Sequence, residues 1–520
     1  MPSQPHAPPA LRNLKVLLTA HEAYPEMERL FLEARHEIRA CFRIFDPFAK
    51  LRSDAALAVG ETWFDLITHT LERGVSLRMV ISDFDPVGRV NLHRQTWDSL
   101  RALYAAAEAS GASQNLTVTA ALHPAEVGVL PRIILWPKIR SSLKPILEDV
   151  NALPAEERDE AMRRIPLVAR FAEKAGESWR LKRWQLPVLH PATHHQKLAV
   201  FDRKSLYIGG LDLDDRRFDT PEHDQLAQQT WHDVQLSMEG DLAVAAHDHL
   251  GSFLNVVEGK DPPAMPRGLL RTLSSKRKRP WLAMGPRPVL SEVAQAHSRH
   301  VREAQDLIYL ETQFFRDRRL AHQLAEAALA NPDLKLLMIV PAVPEEIAFD
   351  GRRSSDQRLG EHLQARCLEM VRDAFKDRFF IGSPVQPRLR DEMDEGPKRL
   401  GEAPMVYVHA KVSIFDDRAA IVSSANLNGR SLYWDTEAGV EVSDAEQVKI
   451  IREKCFRHWL PADAPRRFFD GDDVIKAWRE LAEDNQGQHP EKRDGFILPY
   501  SIGAARRFGR AIPIVPEEMV

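Results

Sequence analysis

Two histidine–lysine pairs share one spacing: His195 with Lys197, and His409 with Lys411. Side chains two apart in an extended segment point to one face, so each pair aims an imidazole and an ammonium at a common point. That pairing neutralises an anionic oxygen and supplies a nucleophile or proton carrier, as attack on a phosphoester requires. Seven positions after each histidine stands an aspartate, Asp202 and Asp416. The odd offset puts it on the opposite face at a strand end, where it holds the turn or a buried partner and does not touch substrate. Seventeen positions after each histidine come Asp212 and Asn426, each preceded by small residues, Gly209-Gly210 and Ser423-Ser424, that let a second strand pack closely. Further on, each half supplies an acid, Asp233 and Glu437. Such an acid can accept the Nδ1 proton of a histidine and orient its Nε2. One HxKxxxxD pattern is expected by chance roughly 0.05 times in a chain of this length. Two, in matching places of a repeated unit, are far rarer.

The elements that must position these residues are written twice. Residues 27–87 and 297–345 follow one plan: a charged helical lead-in to an apolar run (EARHEIRACFRIFDP; EAQDLIYLETQFF), a helix (ETWFDLITHTLERG; LAHQLAEAALANP), then a strand rich in Val, Ile and Leu (SLRMVISDFDP; DLKLLMIVPAV). The motif blocks match as well: THHQKLAVFDRKSLYIGGLDL and YVHAKVSIFDDRAAIVSSANL each read as two short strands joined by a tight charged turn. Strands alternating with helices predict an α/β sandwich in each half. A duplicated unit places its copies around a pseudo-twofold with the two sites meeting at the seam. Residues 1–260 are expected to form the first domain, with a mostly helical insertion at about 130–183. Residues 261–290, rich in proline and basic side chains, read as a linker. Residues 291–465 would be the second domain and 466–520 a C-terminal extension.

The bulk numbers bound the function. The chain has 520 residues, ordinary apolar content of 44% and a formal net charge of -4. That is long enough for two domains, and a protein built to coat nucleic acid is usually basic. Cys41, Cys367 and Cys455 fit no metal spacing and cannot all pair, so free thiols in a reducing compartment are expected. No signal-peptide core and no membrane-length apolar run is seen, so a cytoplasmic location is expected, with export by a signal-independent route left open. No cofactor is expected and no metal, since lysine is a poor ligand and the clusters His223-Asp224 and His247-Asp248-His249 have no partner in the sequence. The basic run Lys276-Arg277-Lys278-Arg279 reads as a solvated patch, with anionic lipid or phosphate as the alternative. The apolar and basic stretch LPRIILWPKIRSSLKPIL reads as ordinary packing, with lipid contact as its alternative.

With both motifs in view, the sequence resembles the phospholipase D superfamily, whose signature is HxKxxxxD followed by a small-residue and Asn or Asp box. GGLDLDDRRFDTPEH, WHDVQLSMEG, IYLETQFF and NLNGRSLYWDTE are similar to segments of plant-type and other eukaryotic members, and the likeness covers roughly residues 30–460. The resemblance implies two tandem phospholipase D-like α/β/α sandwich domains related by a pseudo-twofold, with the active site at their interface. It implies His195 as nucleophile and His409 as acid and then base. Lys197 and Lys411 would clamp phosphate oxygens with Asn426 adding a donor, and Asp233 and Glu437 would set the tautomers. Asp202, Asp416, Asp212, Gly209, Gly210 and Ser424 would support them. Asp212 departs from the Asn common in the family; a carboxylate repels phosphate, so it is expected to orient a side chain. The implied reaction releases the headgroup of a phospholipid, giving phosphatidic acid through a phosphohistidine, with headgroup exchange. A phospholipid substrate, transient contact with a membrane surface, no nucleic acid and a monomer sufficient for a complete site follow. The alternatives are a nuclease of the superfamily, disfavoured by two motifs in an acidic chain; a phosphatidyl transferase, which usually carries membrane spans; and a dead membrane-binding scaffold, disfavoured by two intact motifs.

Overall fold

The computed structural model describes residues 11–264, 268–278, 280–344, 348, 355–390, 392–394, 399–512 and 515–519. Arg279 and the first ten residues, over which part of the N-terminal reading ran, lie outside them.

The alternation of helix and strand resolves into two sheets. The first is built from β1 (Leu11–Leu18), β2 (Glu37–Phe42), β3 (Ser76–Ser82), β4 (Leu116–Ala121), β7 (Leu198–Phe201), β8 (Ser205–Gly209) and β9 (Val234–Gly240), in the order β1-β9-β8-β7-β2-β3-β4. A hairpin, β5 (Ala172–Ala175) and β6 (Ser178–Leu181), lies in the insertion. The second sheet takes β10 (Leu269–Ser275), β11 (Arg287–Ser291), β12 (Leu307–Thr312), β13 (Lys335–Ile339), β14 (Phe379–Pro384), β17 (Lys411–Phe415), β18 (Ala419–Ser423), β19 (Glu437–Val442) and β20 (Ile497–Pro499). A small ladder pairs β15 (Arg399–Leu400) with β16 (Ala403–Pro404). The order β11-β10-β19-β18-β17-β12-β13-β14-β20 repeats the first sheet strand for strand, with β10 in the place of β1 and one extra strand at each edge. In both sheets the two crossover strands run parallel to the central one, and the motif hairpin runs antiparallel to it.

The repeat corrects the expected linker. Residues 269–275 are the first strand of the second sheet, and residues 287–291 extend it. Pro and basic residues mask this in the sequence, because β10 is short and its one charge, Arg271, is buried against Glu292 at 2.8 Å. Likewise β20 ties part of the expected extension to the edge of β14.

Three apolar cores follow from this layering. One lies between the sheets and mixes both halves: Leu198, Val234 and Leu236 pack with Val412, Val422 and Val440. Each sheet covers a second core with helices on its outer face, around Trp63 and Phe31 in the first half and Leu324 and Leu368 in the second. A smaller cluster, around Ile139, Leu143 and Leu147, holds the insertion together. Cys41, Cys367 and Cys455 are buried free thiols. Among the described residues no helix is long and apolar enough to cross a membrane.

Candidate active site

Each HxK stretch leads into a hairpin: β7 begins just after the first, at Leu198, and β17 begins on the lysine of the second, Lys411. Each lead-in is held by the other half. His194 bridges to Thr436 and His232 to Val408, both in parallel sense. The His195 N–H donates to the Thr436 carbonyl at 2.8 Å, and the His409 N–H donates to the His232 carbonyl at 2.7 Å. The residues that follow these two carbonyls are Glu437 and Asp233. One symmetric backbone clasp therefore delivers each acid to the opposite half's histidine. His195 Nδ1 lies 3.1 Å from Glu437 Oε2, and His409 Nδ1 lies 2.6 Å from Asp233 Oδ2. Both carboxylates sit on Nδ1, which leaves each Nε2 for chemistry.

Small residues make room for this exchange. A Cβ at Gly210 would lie 2.2 Å from Asp233 Oδ1. At the matching position Ser424 donates from Oγ to Glu437 Oε2 at 2.5 Å, so the second half fixes its acid with a hydroxyl where the first leaves space. One step earlier the sizes swap between strands. Gly209 faces Gln235 in the first half, and Ser423 faces Gly439 in the second.

The lysines are buried beside their histidines. Lys197 Nζ donates to the His195 carbonyl at 2.5 Å and lies 3.8 Å from Asp212 Oδ2. Lys411 Nζ donates to the His409 carbonyl and is 3.0 Å from His409 Nδ1. Asp212 is a bracing group: it accepts the backbone N–H groups of Arg43 and Ile44 at 2.9 Å and Arg217 Nη1 at 2.5 Å. Asn426 is buried, and its Oδ1 has no hydrogen-bond partner among the described residues. The motif aspartates lie away from this centre and clamp turns. Asp202 accepts the N–H groups of Arg35, His36 and Glu37 at 2.8–3.0 Å, and Asp416 those of Gln305, Asp306 and Leu307 at 2.9–3.0 Å. Both have positive φ, 51° and 53°, which an aspartate tolerates in a tight hairpin turn.

Burial and crowded charge set the proton balance. Burial pushes both imidazoles well below their ordinary range, and nearby Lys197, Lys411, Arg43 and Arg217 add to it. Burial raises Asp233 to about 7 and Glu437 to about 8, against the pull of Lys411 and Lys197 respectively. Burial also lowers Lys411 to about 7, with Asp233 opposing. Burial would raise Asp212 too, but Lys197, Arg217 and Arg43 together hold it below the usual carboxylate range.

Several residues here carry no signal the sequence reading used. Arg43 and Arg430 act on His195 through charge, and Arg430 is paired with Asp435 at 3.0 Å. Trp231 stacks on His409 with ring centroids 4.6 Å apart, and Arg217 sits over the same indole. Thr19, at φ 57° and buried, donates its N–H to the Asp233 carbonyl at 3.0 Å. Trp231 is the first residue of the Trp-His-Asp segment, and Arg43, Arg217 and Arg430 stand in the quoted segments EARHEIRACFRIFDP, GGLDLDDRRFDTPEH and NLNGRSLYWDTE, so all four were within reach.

His223 does have partners, contrary to expectation: Asp219 Oδ2 at 2.6 Å from Nδ1, and His458 Nε2 at 2.9 Å from Nε2. With His232, bonded to Glu311 Oε1 at 2.5 Å, these three imidazoles place a nitrogen each within 4.8 Å of one another. Carboxylates behind histidines are what a zinc-type ion takes. The His232 and His458 rings stack with centroids 4.5 Å apart at 28°. The cluster braces His232, the neighbour of Asp233. His247 pairs with Glu37 at 2.7 Å, and His249 holds Gln196 at 2.7 Å, both from the Asp241–Val257 helix.

The family model for the cardiolipin synthase, phospholipase D-like domain matches residues 298–459. The chain is 23% identical over 354 residues to phospholipase D alpha 1 of Oryza sativa subsp. japonica, an alignment covering 46% of this chain and 44% of that one. It is 24% identical over 348 residues to phospholipase D1 of Schizosaccharomyces pombe, covering 50% and 25%. The chain thus spans less than half the length of these curated relatives. A solved phosphatidylserine synthase of Haemophilus influenzae shares the fold, with a TM-score of 0.50, 12% identity and coverage of 91% and 93%. These matches make the chain similar to the phospholipase D superfamily, most directly over residues 298–459. Its fold is the mixed α/β architecture of that group.

Proposed function

We propose that the protein is a phospholipase D, releasing the headgroup alcohol of a glycerophospholipid and leaving phosphatidic acid. The observation that carries this reading is the crossed pairing of two HxK stretches with acids of the opposite halves, which leaves two Nε2 atoms and two ammonium groups in one buried centre. Lys197, Lys411 and the Asn426 amide bind the nonbridging phosphate oxygens. His195 Nε2 attacks phosphorus while the bond to the headgroup oxygen breaks, and that oxygen takes a proton from His409 Nε2. Water then attacks the phosphoryl-His195, His409 takes its proton, and the P–N bond breaks to give phosphatidic acid; an alcohol in place of water gives the exchanged lipid. Incoming phosphate anion favours the imidazolium that His409 needs for the first step. The similarity to plant and yeast phospholipases D favours this lipid reaction over nucleic-acid cleavage.

The test is turnover of phosphatidylcholine and phosphatidylethanolamine micelles with ethanol and EDTA, for wild type and His195→Ala. Phosphatidic acid plus phosphatidylethanol from wild type alone is expected. Absence of both products from both lipids overturns the substrate assignment.

A further inference from the structure

The Val129–Ala152 helix belongs to the insertion and has no role in the chemistry above. Its inner side packs through Ile139, Leu143 and Leu147. Yet Leu130, Ile133 and Ile134 face outward on another side, Ile134 with 70% of its surface exposed. Three aliphatic side chains exposed together form a contiguous apolar patch rather than the scattered ones a solvated helix carries. A second segment completes the patch. The Val129 and Leu130 N–H groups donate to the carbonyls of Pro280 and Trp281 at 3.0 and 3.1 Å, and the Gly128 N–H donates to Ala283 at 2.7 Å. That weld presents Trp281 and Leu282, exposed to 66% and 70%, beside the start of the helix. Gly128 is tied by packing as well, since a Cβ there would lie 2.8 Å from the Trp281 carbonyl oxygen.

The charge on this patch is predominantly positive, on a protein whose formal net charge is -4. Between Val129 and Leu147 every ionisable residue is basic; Arg132 is paired with Glu126 at 3.8 Å and Lys144 with Glu148 at 3.3 Å, which leaves the exposed Lys138 and the half-buried Arg140 to form the rim. Residues 276–287 are likewise basic without an acid, and Arg277 and Lys278 are exposed. Exposed aliphatics, an outward indole and a cationic rim match the interface of a bilayer bearing anionic lipid. A phosphate backbone would use the cations but would gain nothing from Ile134 or Leu282.

The patch also adjoins the seam. A Cβ on Gly285 would lie 2.3 Å from the Trp434 ring, and Trp434 directly precedes Asp435, which holds the Thr193 N–H at 2.7 Å. Behind the start of the helix, His123 packs against His194, with ring centroids 5.2 Å apart.

We infer that the Val129–Ala152 helix, with residues 276–278 and 280–286 beside it, forms a membrane-contact face, which seats the mouth of the seam on an anionic bilayer. The inference rests on the phospholipid reading for its purpose, and the experiment separates the two. Full-length protein carrying His195→Ala is sedimented with sucrose-loaded vesicles of phosphatidylcholine, with and without phosphatidylglycerol. The same is done with Ile134→Ser/Trp281→Ser and with Lys138→Glu/Lys278→Glu added. In the His195 background, binding that needs phosphatidylglycerol is expected. Roughly tenfold weaker binding is expected in either double variant, whose thermal midpoints should match the parent. In the active background, the double variants should lose turnover on vesicles but keep it on a short-chain phospholipid below its micelle concentration. Equal vesicle binding by parent and variants overturns the face. So does tighter retention on RNA than on vesicles, or a solution dimer dissolved by Trp281→Ser. Binding as expected, with no product from any phospholipid, leaves the face standing and removes the proposed reaction.

Discussion

At the scale of single residues, the crossed acids make the sharpest predictions. Asp233→Asn and Glu437→Gln preserve shape but give the wrong hydrogen-bond partner to His409 and His195 respectively. Each is expected to lower kcat about 10²–10⁴-fold with little change in KM. Joining Glu437→Gln to His195→Ala should cost no more than His195→Ala alone, because the acid acts through that imidazole. Steady-state kinetics on micellar lipid read all three. Charge predicts a second behaviour. Lys411 titrates at about 7 because burial opposes its charge. Its protonation as pH falls adds a cation to the site, so a dialkyl phosphate, whose single charge does not change over this range, should bind more tightly on going from about pH 8 to about pH 6, with a proton uptake that Lys411→Met diminishes. Calorimetry in buffers of different ionisation enthalpy measures this; pH-independent binding would remove Lys411 from the phosphate subsite. The two HxK stretches that meet at the centre were legible because both pairs repeat with fixed offsets. Their partners were half legible: Asp233 and Glu437 could be named, but nothing local says that each serves the other half's histidine.

At the scale of elements, the motif aspartates tie the hairpin turn to the start of the central strand. Asp202 brings three N–H groups together on one carboxylate, and these donors, against the cost of burial, hold it below the usual carboxylate range. Asp202→Ala leaves those donors without their partner and should cost about 1–3 kcal/mol in denaturant titration, without touching the chemistry directly. A depressed carboxylate contributes stability above its unfolded pKa and loses it as pH falls through the folded value, so this contribution should fade at acid pH. Gly210→Ala is a sharper probe of packing, since its methyl group would meet Asp233. It should slow turnover through His409 while the fold persists. The strands and helices around both motifs follow the sequence plan because alternating runs and turn residues are local signals. The strand at 269–275 was missed because proline and arginine around it outweigh its short apolar run; only its place against β19 shows what it is.

At the scale of the molecule, the sheets share one core, so neither half has a complete interior alone. Fragments cut within 265–267 should be inactive singly and should regain activity when coexpressed, as copurification with a lipid assay would read. Buried neutral histidines predict the acid limit of the whole fold. Burial lowers His194 and His249 to about 3 and His297 to about 4. Their contribution is complete above the unfolded value near 6.5 and is lost as pH falls toward the folded values, by about 1.4 kcal/mol per pH unit for each group. Thermal midpoints should therefore fall steeply below about pH 6. The pseudo-twofold was legible from the duplication; the strand-for-strand depth of the repeat was not, because β1 and β10 share a place but no sequence pattern.

The size swap between Gly209 facing Gln235 and Ser423 facing Gly439 bears on how the two copies can change over time. In each pair one strand carries a glycine where the other carries a side chain, so a side chain added at the glycine alone meets its neighbour at 2.3 Å in the first half and 2.5 Å in the second. The acids impose a bond between copies, because a lesion in one silences the histidine of the other. The two repeats therefore form one working unit, joined by exchanged acids as much as by the peptide link between them.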